Sequence, residues 1–119
     1  MPRLASPRLL VETIHGITVA TFADSEILAE EVIDEVADQL RDLIEGLGAA
    51  DILLNFREVR LMTSAMLATL LRFGRRVTAA GGRLKLCGLA PDLLQAFKIT
   101  RFDRLFEIYG EESTALDSF

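Results

Sequence analysis

Two adjacent hydroxyl residues, Thr63 and Ser64, are the part of the sequence best placed to do chemistry, because a helical pattern begins directly after them. A hydroxyl at a helix start can accept hydrogen bonds from the unpaired N–H groups of the first turn. Such a cap is worth about 1 kcal/mol, and physical chemistry alone favours this interpretation because nearly every helix needs a cap. The alternative is a phosphorylation site, since a helix N-terminus has the dipole and the free donors to hold a phosphate.

The other residues with chemical potential favour structural roles. His15 is the only histidine and precedes Gly16, which indicates a turn; Cys87 is the only cysteine and lies in an apolar stretch, where it is expected to be a small buried hydrophobe. One histidine and one cysteine cannot form a multi-histidine or thiolate zinc cage. No nucleotide-binding, metalloprotease or hydrolase motif occurs either. We therefore predict no catalytic residues, no metal and no cofactor.

Composition sets the class of protein. The chain has 119 residues, half of them hydrophobic, and a net charge of -5, which predicts a single domain over residues 1–119 and argues against a nucleic-acid binder. The cluster of Arg72, Arg75 and Arg76 is interpreted as a solvated helix face. The sequence contains neither a membrane-spanning run nor a signal peptide, so the expected location is cytoplasmic, with no membrane partner.

Hydrophobic patterns predict the elements of the first half. Residues 1–7 resemble a loose leader, and strand-forming residues at 9–11 and 17–22 flank the His15-Gly16 pair as in a β-hairpin. Asp24-Ser25-Glu26 offers helix-start chemistry. An amphipathic helix is expected to follow, ended by Gly46 and Gly48, with its carboxylates on the wet side and one apolar stripe made of Val32, Ile33, Val36, Ala37, Leu40, Leu43, Ile44 and Leu47.

The second half alternates strand and helix with short links. Residues 52–54 predict a strand buried on both faces, and 84–87 a further strand after the Gly81-Gly82 stop, which is typical of a βαβ unit in a parallel sheet. Pro91 predicts the first turn of a short helix. Residues 105–109 predict a last strand and 111–119 a terminal helix. The apolar face of the intervening helix consists of Met66, Leu67, Leu70, Leu71, Phe73 and Val77.

Taken in order, these motifs resemble the second half of a STAS domain over residues 52–116. The family has a buried strand, a loop ending in Asp-Ser-Ser-Gly or Asp-Ser-Thr-Gly, a helix, Ala-Gly-Gly, a strand, a short helix and a closing Leu-Phe-x-Ile-Tyr-like stretch. The sequence shows the corresponding parts at 52–56, 59–65, 80–84 and 102–109, while 9–48 fits the first half more loosely. The resemblance implies an α/β fold with an N-terminal β-hairpin and a mostly parallel central sheet, with helices packed on one face.

The resemblance also implies a bacterial anti-sigma factor antagonist acting in transcription regulation. Its partners would be an anti-sigma factor that is also a serine kinase of the histidine-kinase-like ATPase type, and a phosphatase. The phosphorylation candidate is Ser64, with Thr63 as the alternative. Met62 stands where the family has Asp, Ala65 where it has Gly, and Asn55 where Asp often closes the strand, so the sequence predicts partner binding and leaves phosphorylation open. The expected partner-binding residues are Asp24, Ser25, Met62, Thr63, Ala65 and Met66.

Two other functions stay open. In one, the chain is a scaffold or assembly module and Thr63-Ser64 is only a cap. In the other, it is a nucleotide- or small-ligand-binding domain, which the lack of a phosphate-cradling glycine loop disfavours. The expected oligomeric state is a monomer or a weak homodimer.

Overall fold

A β-hairpin begins the fold. The structure is a computed structural model that describes residues 7–48 and 50–119, so the predicted leader lies outside the described residues except for Pro7. The hairpin consists of β1 (Leu9–Ile14) and β2 (Ile17–Phe22). Its turn residues His15 and Gly16 have positive φ values of 50° and 80°, as a two-residue turn between twisted antiparallel strands requires. The predicted hairpin and the turn role of His15 are confirmed.

A five-stranded sheet contains this hairpin and orders its strands β1-β2-β4-β6-β7. Among the strand pairs of residues 7–48 and 50–119, only β1–β2 is antiparallel in this sheet. The central strand β4 has apolar side chains with no exposed surface on both faces, as its continuous apolar run predicted. The parallel β4–β6 pair confirms the predicted βαβ unit. The remaining strands are β3 (Glu26–Ile27), β4 (Asp51–Asn55), β5 (Leu61–Met62), β6 (Arg83–Cys87) and β7 (Glu107–Tyr109).

In the described part of the chain, four α-helices connect and cover the sheet: α1 (Glu30–Glu45), α2 (Ser64–Ala79), α3 (Pro91–Ile99) and α4 (Glu112–Asp117). The predicted apolar stripes of α1 and α2 face the core, where most of their residues are buried and Val32, Ala37, Ile44 and Leu71 are half-buried. Pro91 occupies the first turn of α3. Leu47 is the exception. It follows the helix end at Gly46 and is 67% exposed, so its predicted place on the buried stripe is wrong. No helix in the described ranges has the length and apolar character needed to span a membrane.

The two faces of the sheet are covered differently. The main core packs α1, α2 and α3 against one face, which confirms the predicted α/β class. The short α4 covers the opposite face, where Ala115 packs with Leu53 and Cys87 in a smaller cluster. There the buried Lys85 donates hydrogen bonds from Nζ to the backbone oxygen of Ser118 at 2.7 Å and to its Oγ at 2.8 Å. The C-terminal turn is therefore fastened to the sheet.

Two predicted elements differ from the structure. The expected helix start at Asp24-Ser25-Glu26 is wrong, because Glu26 begins β3 and α1 begins at Glu30, behind Ala29, without a side-chain cap. The predicted strand at 105–109 shortens to β7, since a 3-10 turn at Phe102–Arg104 ends at Leu105.

Candidate functional site

A two-stranded sheet, β3 with β5, holds the junction that contains Thr63 and Ser64. The pairing is parallel, with Glu26 opposite Leu61 and Ile27 opposite Met62. Backbone bonds extend it at both ends, from the Leu61 N–H to the Ser25 oxygen at 3.2 Å and from the Thr63 N–H to the Ile27 oxygen at 3.3 Å. The loop after β2 and the loop after β4 are thus joined by main-chain groups, which fixes where α2 begins.

Buried side chains support this small sheet from below. Ile27 and Met66 have no exposed surface, and Met62 packs against the main core from its edge. The rings of Phe22 and Phe56 lie 4.6 Å apart, centroid to centroid, in the same core. The outer residues of β3 and β5 therefore sit on a rigid base.

Thr63 caps α2. Its backbone is extended, with φ −86° and ψ 167°, and its Oγ1 accepts a hydrogen bond from the Met66 N–H at 3.3 Å. The Thr63 carbonyl accepts from the N–H groups of Met66 and Leu67 as well. This is the arrangement of an N-cap, so the capping interpretation is confirmed for Thr63, and its hydroxyl is committed to the helix.

Ser64 has a different environment. It is the first residue of α2, it is exposed, and none of the described residues forms a hydrogen bond with its hydroxyl. The backbone N–H groups of Ser64 and Ala65 also find no acceptor in this part of the structure. The first turn of α2 carries no acidic residue, so the positive end of the helix dipole is not neutralised there. The start of α2 therefore offers an exposed hydroxyl oxygen, two N–H donors without a described acceptor, and the positive end of a helix dipole that favours an anion.

Exposed apolar side chains lie beside Ser64. Leu28 follows β3 and is 46% exposed, and Leu61 of β5 is 47% exposed. Side chains alternate along a strand, so both lie on the outer side, opposite the buried Ile27. Glu26, which pairs with Leu61, is exposed on the same side. With the exposed Ser25 and Ala65, these residues form what we call the junction surface, composed of Ser25, Glu26, Leu28, Leu61, Ser64 and Ala65. Sequence reasoning missed both leucines, because isolated leucines outside a periodic segment give no signal.

The six predicted partner-binding residues separate into three sets. Ser25, Met62, Thr63 and Ala65 come together around Ser64. Met66 is fully buried, so it supports the junction surface and presents nothing to a partner.

Asp24 belongs to a separate ion-pair group. Its Oδ1 lies 2.9 Å from Nη1 of Arg8, whose Nε donates to Glu35 at 2.7 Å. These bonds tie the start of β1 to the end of β2 and to α1. Asp24 therefore helps to hold these elements together, since its carboxylate is turned toward Arg8. Its Oδ2 is buried and has no hydrogen-bond partner among the described residues.

Two further polar residues at the ends of the central strands also serve the fold. Asn55 Oδ1 accepts from the Arg57 N–H at 2.9 Å, and its Nδ2 donates to Glu112 at 3.3 Å, which joins the end of β4 to α4. Burial raises the pKa of the Cys87 thiol to about 12, so it stays protonated and is a poor nucleophile at neutral pH. No cluster of three metal-binding side chains occurs among residues 7–48 and 50–119.

Comparison with known proteins agrees with this architecture. A family model described as the STAS domain matches residues 8–115. No curated protein matches the chain by sequence.

Among solved structures, a putative anti-sigma factor antagonist from Thermotoga maritima superposes with a TM-score of 0.81 at 17% identity, over 92% of each chain. SpoIIAA, a Bacillus cell fate determinant in its phosphorylated form, superposes with a TM-score of 0.69 at 18% identity, over 92% of this chain and 97% of its own. A sulfate transporter family protein from Wolinella succinogenes gives 0.74 at 17% identity, over 90% of this chain and 87% of its own. At these identities the likeness establishes the fold.

Proposed function

Because this chain belongs to the STAS domain family, we propose that it is a regulatory protein-binding domain of the anti-sigma factor antagonist type, switched by phosphorylation of Ser64. The observation that carries the proposal is the exposed Ser64 hydroxyl at the start of α2, which has no partner in the described structure while Thr63 serves as the cap. One junction thus supplies both a fixed helix start and a free acceptor for a phosphoryl group.

The structure favours Ser64 over Thr63 as the modified residue. Phosphorylating Thr63 would break its bond to the Met66 N–H and remove the cap, whereas Ser64 has no such bond to lose. Met62 pairs with Ile27 and packs on the core, a poor position for a carboxylate.

Phosphorylation would add to the single carboxylate of the junction surface, Glu26, and make that surface strongly anionic. The Ser64 Oγ forms a bond to the γ-phosphorus of ATP, the bond to the ADP oxygen breaks, and the hydroxyl proton is released. The product carries close to two negative charges, which the free N–H groups of Ser64 and Ala65 can hold. A partner surface built to cover Leu28 and Leu61 would then face a charge with its hydration shell, and we expect it to dissociate.

The partners we propose follow from the same switch. The unphosphorylated form binds an anti-sigma factor that is also a serine kinase of the histidine-kinase-like ATPase type, and a phosphatase restores that form. The chain itself acts as a substrate and a binding partner rather than an enzyme, in the cytoplasm where the sigma factor works.

Intact-mass analysis tests the switch. The chain would be incubated with MgATP and the purified kinase of this type encoded nearest to its gene, alongside a known substrate of that kinase. We expect one added phosphate on the wild type and on Thr63→Ser, which keeps the cap, and none on Ser64→Ala. An unmodified wild type under conditions that modify the known substrate, or a phosphate that persists on Ser64→Ala, would refute the proposal.

The junction surface also supports a second function, a scaffold that binds without a switch. Its exposed leucines, Leu28 and Leu61, offer apolar side chains to a partner whether or not Ser64 is ever modified. Partner affinity of Ser64→Asp separates the two functions. The switch predicts at least a tenfold loss of affinity with Ser64→Asp and little change with Ser64→Ala, whereas the scaffold predicts little change with either.

A further inference from the structure

The outer edge of β1 is an unpaired strand edge. Within the described ranges, no strand pairs with β1 on the side away from β2. The strand is six residues long, and its four central residues, 10–13, are all exposed. It contains no proline, lysine or bulge, which are the usual devices that keep an edge strand from pairing with another chain.

The hydrogen bonds at the start of the strand show which backbone groups face outward. The Ala23 N–H donates to the Arg8 oxygen at 2.9 Å, so Arg8 faces β2. Leu9 is the next residue and so faces away from β2; its N–H donates to Gln39 Oε1 at 3.1 Å, which also accepts from the Arg8 N–H at 2.7 Å. Because bonding direction alternates along an antiparallel pair, Val11 and Thr13 also face outward. The groups open for pairing are the N–H and C=O of Val11 and Thr13, and the C=O of Leu9.

We propose that this edge binds the same edge of a second copy of the chain, antiparallel, with the two-fold axis passing at Val11. Val11 then lies opposite Val11 of the second copy, and Leu9 opposite Thr13. Four backbone bonds result: Val11 N–H to Val11 C=O in both directions, and Thr13 N–H to Leu9 C=O in both directions. None of these bonds needs the Leu9 N–H, which already donates to Gln39. When two copies are related by this two-fold axis, each open N–H of one β1 therefore meets an open C=O of the other.

Charge selects this register over its nearest alternative. An axis at Glu12 would also allow four backbone bonds, but it would set the Glu12 carboxylates of the two copies directly opposite each other, which is destabilising. With the axis at Val11, each Glu12 lies opposite Leu10 of the other copy. Glu12 is the only charged residue in the strand, so this register removes the one direct like-charge pair.

Exposed apolar side chains flank the edge on both faces of the sheet. Val11, 43% exposed, lies on the α1 side in a shallow groove of about 210 Å³ with Leu9, Leu43 and Leu47. Leu10, 57% exposed, lies on the other side. Pairing would cover these side chains, yet one strand edge gives a small interface beside the roughly 1,200 Å² at which stable interfaces begin. Each copy also carries a charge of -5, so we infer a weak dimer that salt strengthens by screening.

Sedimentation velocity on the full chain, at concentrations from about 10 μM to about 1 mM, tests the proposal in the affinity range expected for such a weak contact. We expect a shift from monomer toward dimer that grows with concentration and with added sodium chloride. Val11→Lys should weaken dimerisation at least tenfold, because it places a cation on each side of the axis. Thr13→Pro should do the same by removing an outward N–H, while the β1–β2 bonds are kept.

Ile99→Lys is the matched control, since it also places a lysine at an exposed apolar position, away from β1, and it should dimerise like the wild type. Circular dichroism establishes that each variant is folded. A wild type that stays monomeric across the range, or a dimer that Val11→Lys leaves unchanged or that Ile99→Lys weakens equally, would overturn the proposal. Dimerisation at this edge does not depend on the function proposed for Ser64, and neither result decides the other.

Discussion

Helices α1 and α2 are both 16 residues long and both begin beside the β3–β5 sheet, but their first turns are built in opposite ways. α1 starts behind Ala29, which offers no side-chain cap, and places Glu30 and Glu31 in its first turn. α2 starts behind Thr63, which caps it, and has no acidic residue in its first turn. The positive end of the α1 dipole is therefore neutralised by the chain's own carboxylates, and that of α2 is left open.

This difference separates a helix start that serves only the fold from one available to a ligand. Carboxylates at the start of α1 would repel an added phosphate, while the start of α2 has free N–H groups and an exposed hydroxyl instead. Capping by Thr63 matters here, because it stabilises the helix without adding a negative charge. The start of α2 can then receive a charge from outside.

The largest loss of stability should come from truncating the buried side chain in the first turn of each helix. The two helices should respond alike here, because both first turns are fixed by the core. Met66→Ala and Ile33→Ala each remove a buried side chain from a first turn, and each should lower the free energy of unfolding by about 2–5 kcal/mol through lost burial and a cavity. Urea denaturation measures both. A loss well under 1 kcal/mol for either variant would show that this helix start is not fixed by the core.

Next in size are the caps, where the two helices should respond with opposite signs. Thr63→Ala removes the bond to the Met66 N–H and should destabilise the protein by about 1 kcal/mol. Ala29→Asp supplies a cap that α1 lacks, at a residue with extended backbone, and should stabilise by up to about 1 kcal/mol. Thermal denaturation compares them, with Thr63→Ser as the control that keeps the cap. Equal signs would contradict the comparison.

The smallest effect tests the dipole itself. Ala65→Glu puts a carboxylate into the first turn of α2 and should stabilise the protein by about 0.3–1 kcal/mol at low salt, while Glu31→Gln should destabilise α1 by a similar amount. Both changes should shrink in high salt. Ala65→Glu should also slow phosphorylation of Ser64, since the donors and the dipole would already be occupied. A rate equal to wild type in the kinase assay would contradict that role for the free helix start.

Much of the fold could be predicted from sequence because its long elements carry periodic signals. The stripe of α1, the continuous run of β4 and the glycine stops all reflect local physics that the structure confirms. The two-residue strands β3 and β5 could not be predicted, since two residues have no period and their pairing joins segments 35 positions apart. The role of Asp24 could not be predicted for a related reason. Its partner Arg8 lies 16 residues earlier in the chain, and a local sequence pattern contains no information about such a bond.

The candidate site was predicted in part. Its position at a strand–loop–helix boundary followed from the pattern, but the division of roles between Thr63 and Ser64 depends on which hydroxyl meets the Met66 N–H. The backbone angles of the junction decide which hydroxyl reaches this N–H, and the sequence pattern does not specify those angles. The neighbouring leucines became visible only once β3 and β5 were paired.

The hydrogen bonds that position the junction join main-chain atoms. The N–H groups of residues 60 and 61 donate to the Ser25 oxygen, and the Thr63 N–H donates to the Ile27 oxygen. Outward side chains on these loops can therefore mutate without displacing the helix start. Gene duplicates of such a domain could change the identity of residues 25, 28 and 61 while keeping one common acceptor serine. Under the function proposed for Ser64, partner choice and phosphorylation would then evolve independently, and parallel signalling circuits in one cell would share a mechanism without binding each other's partners.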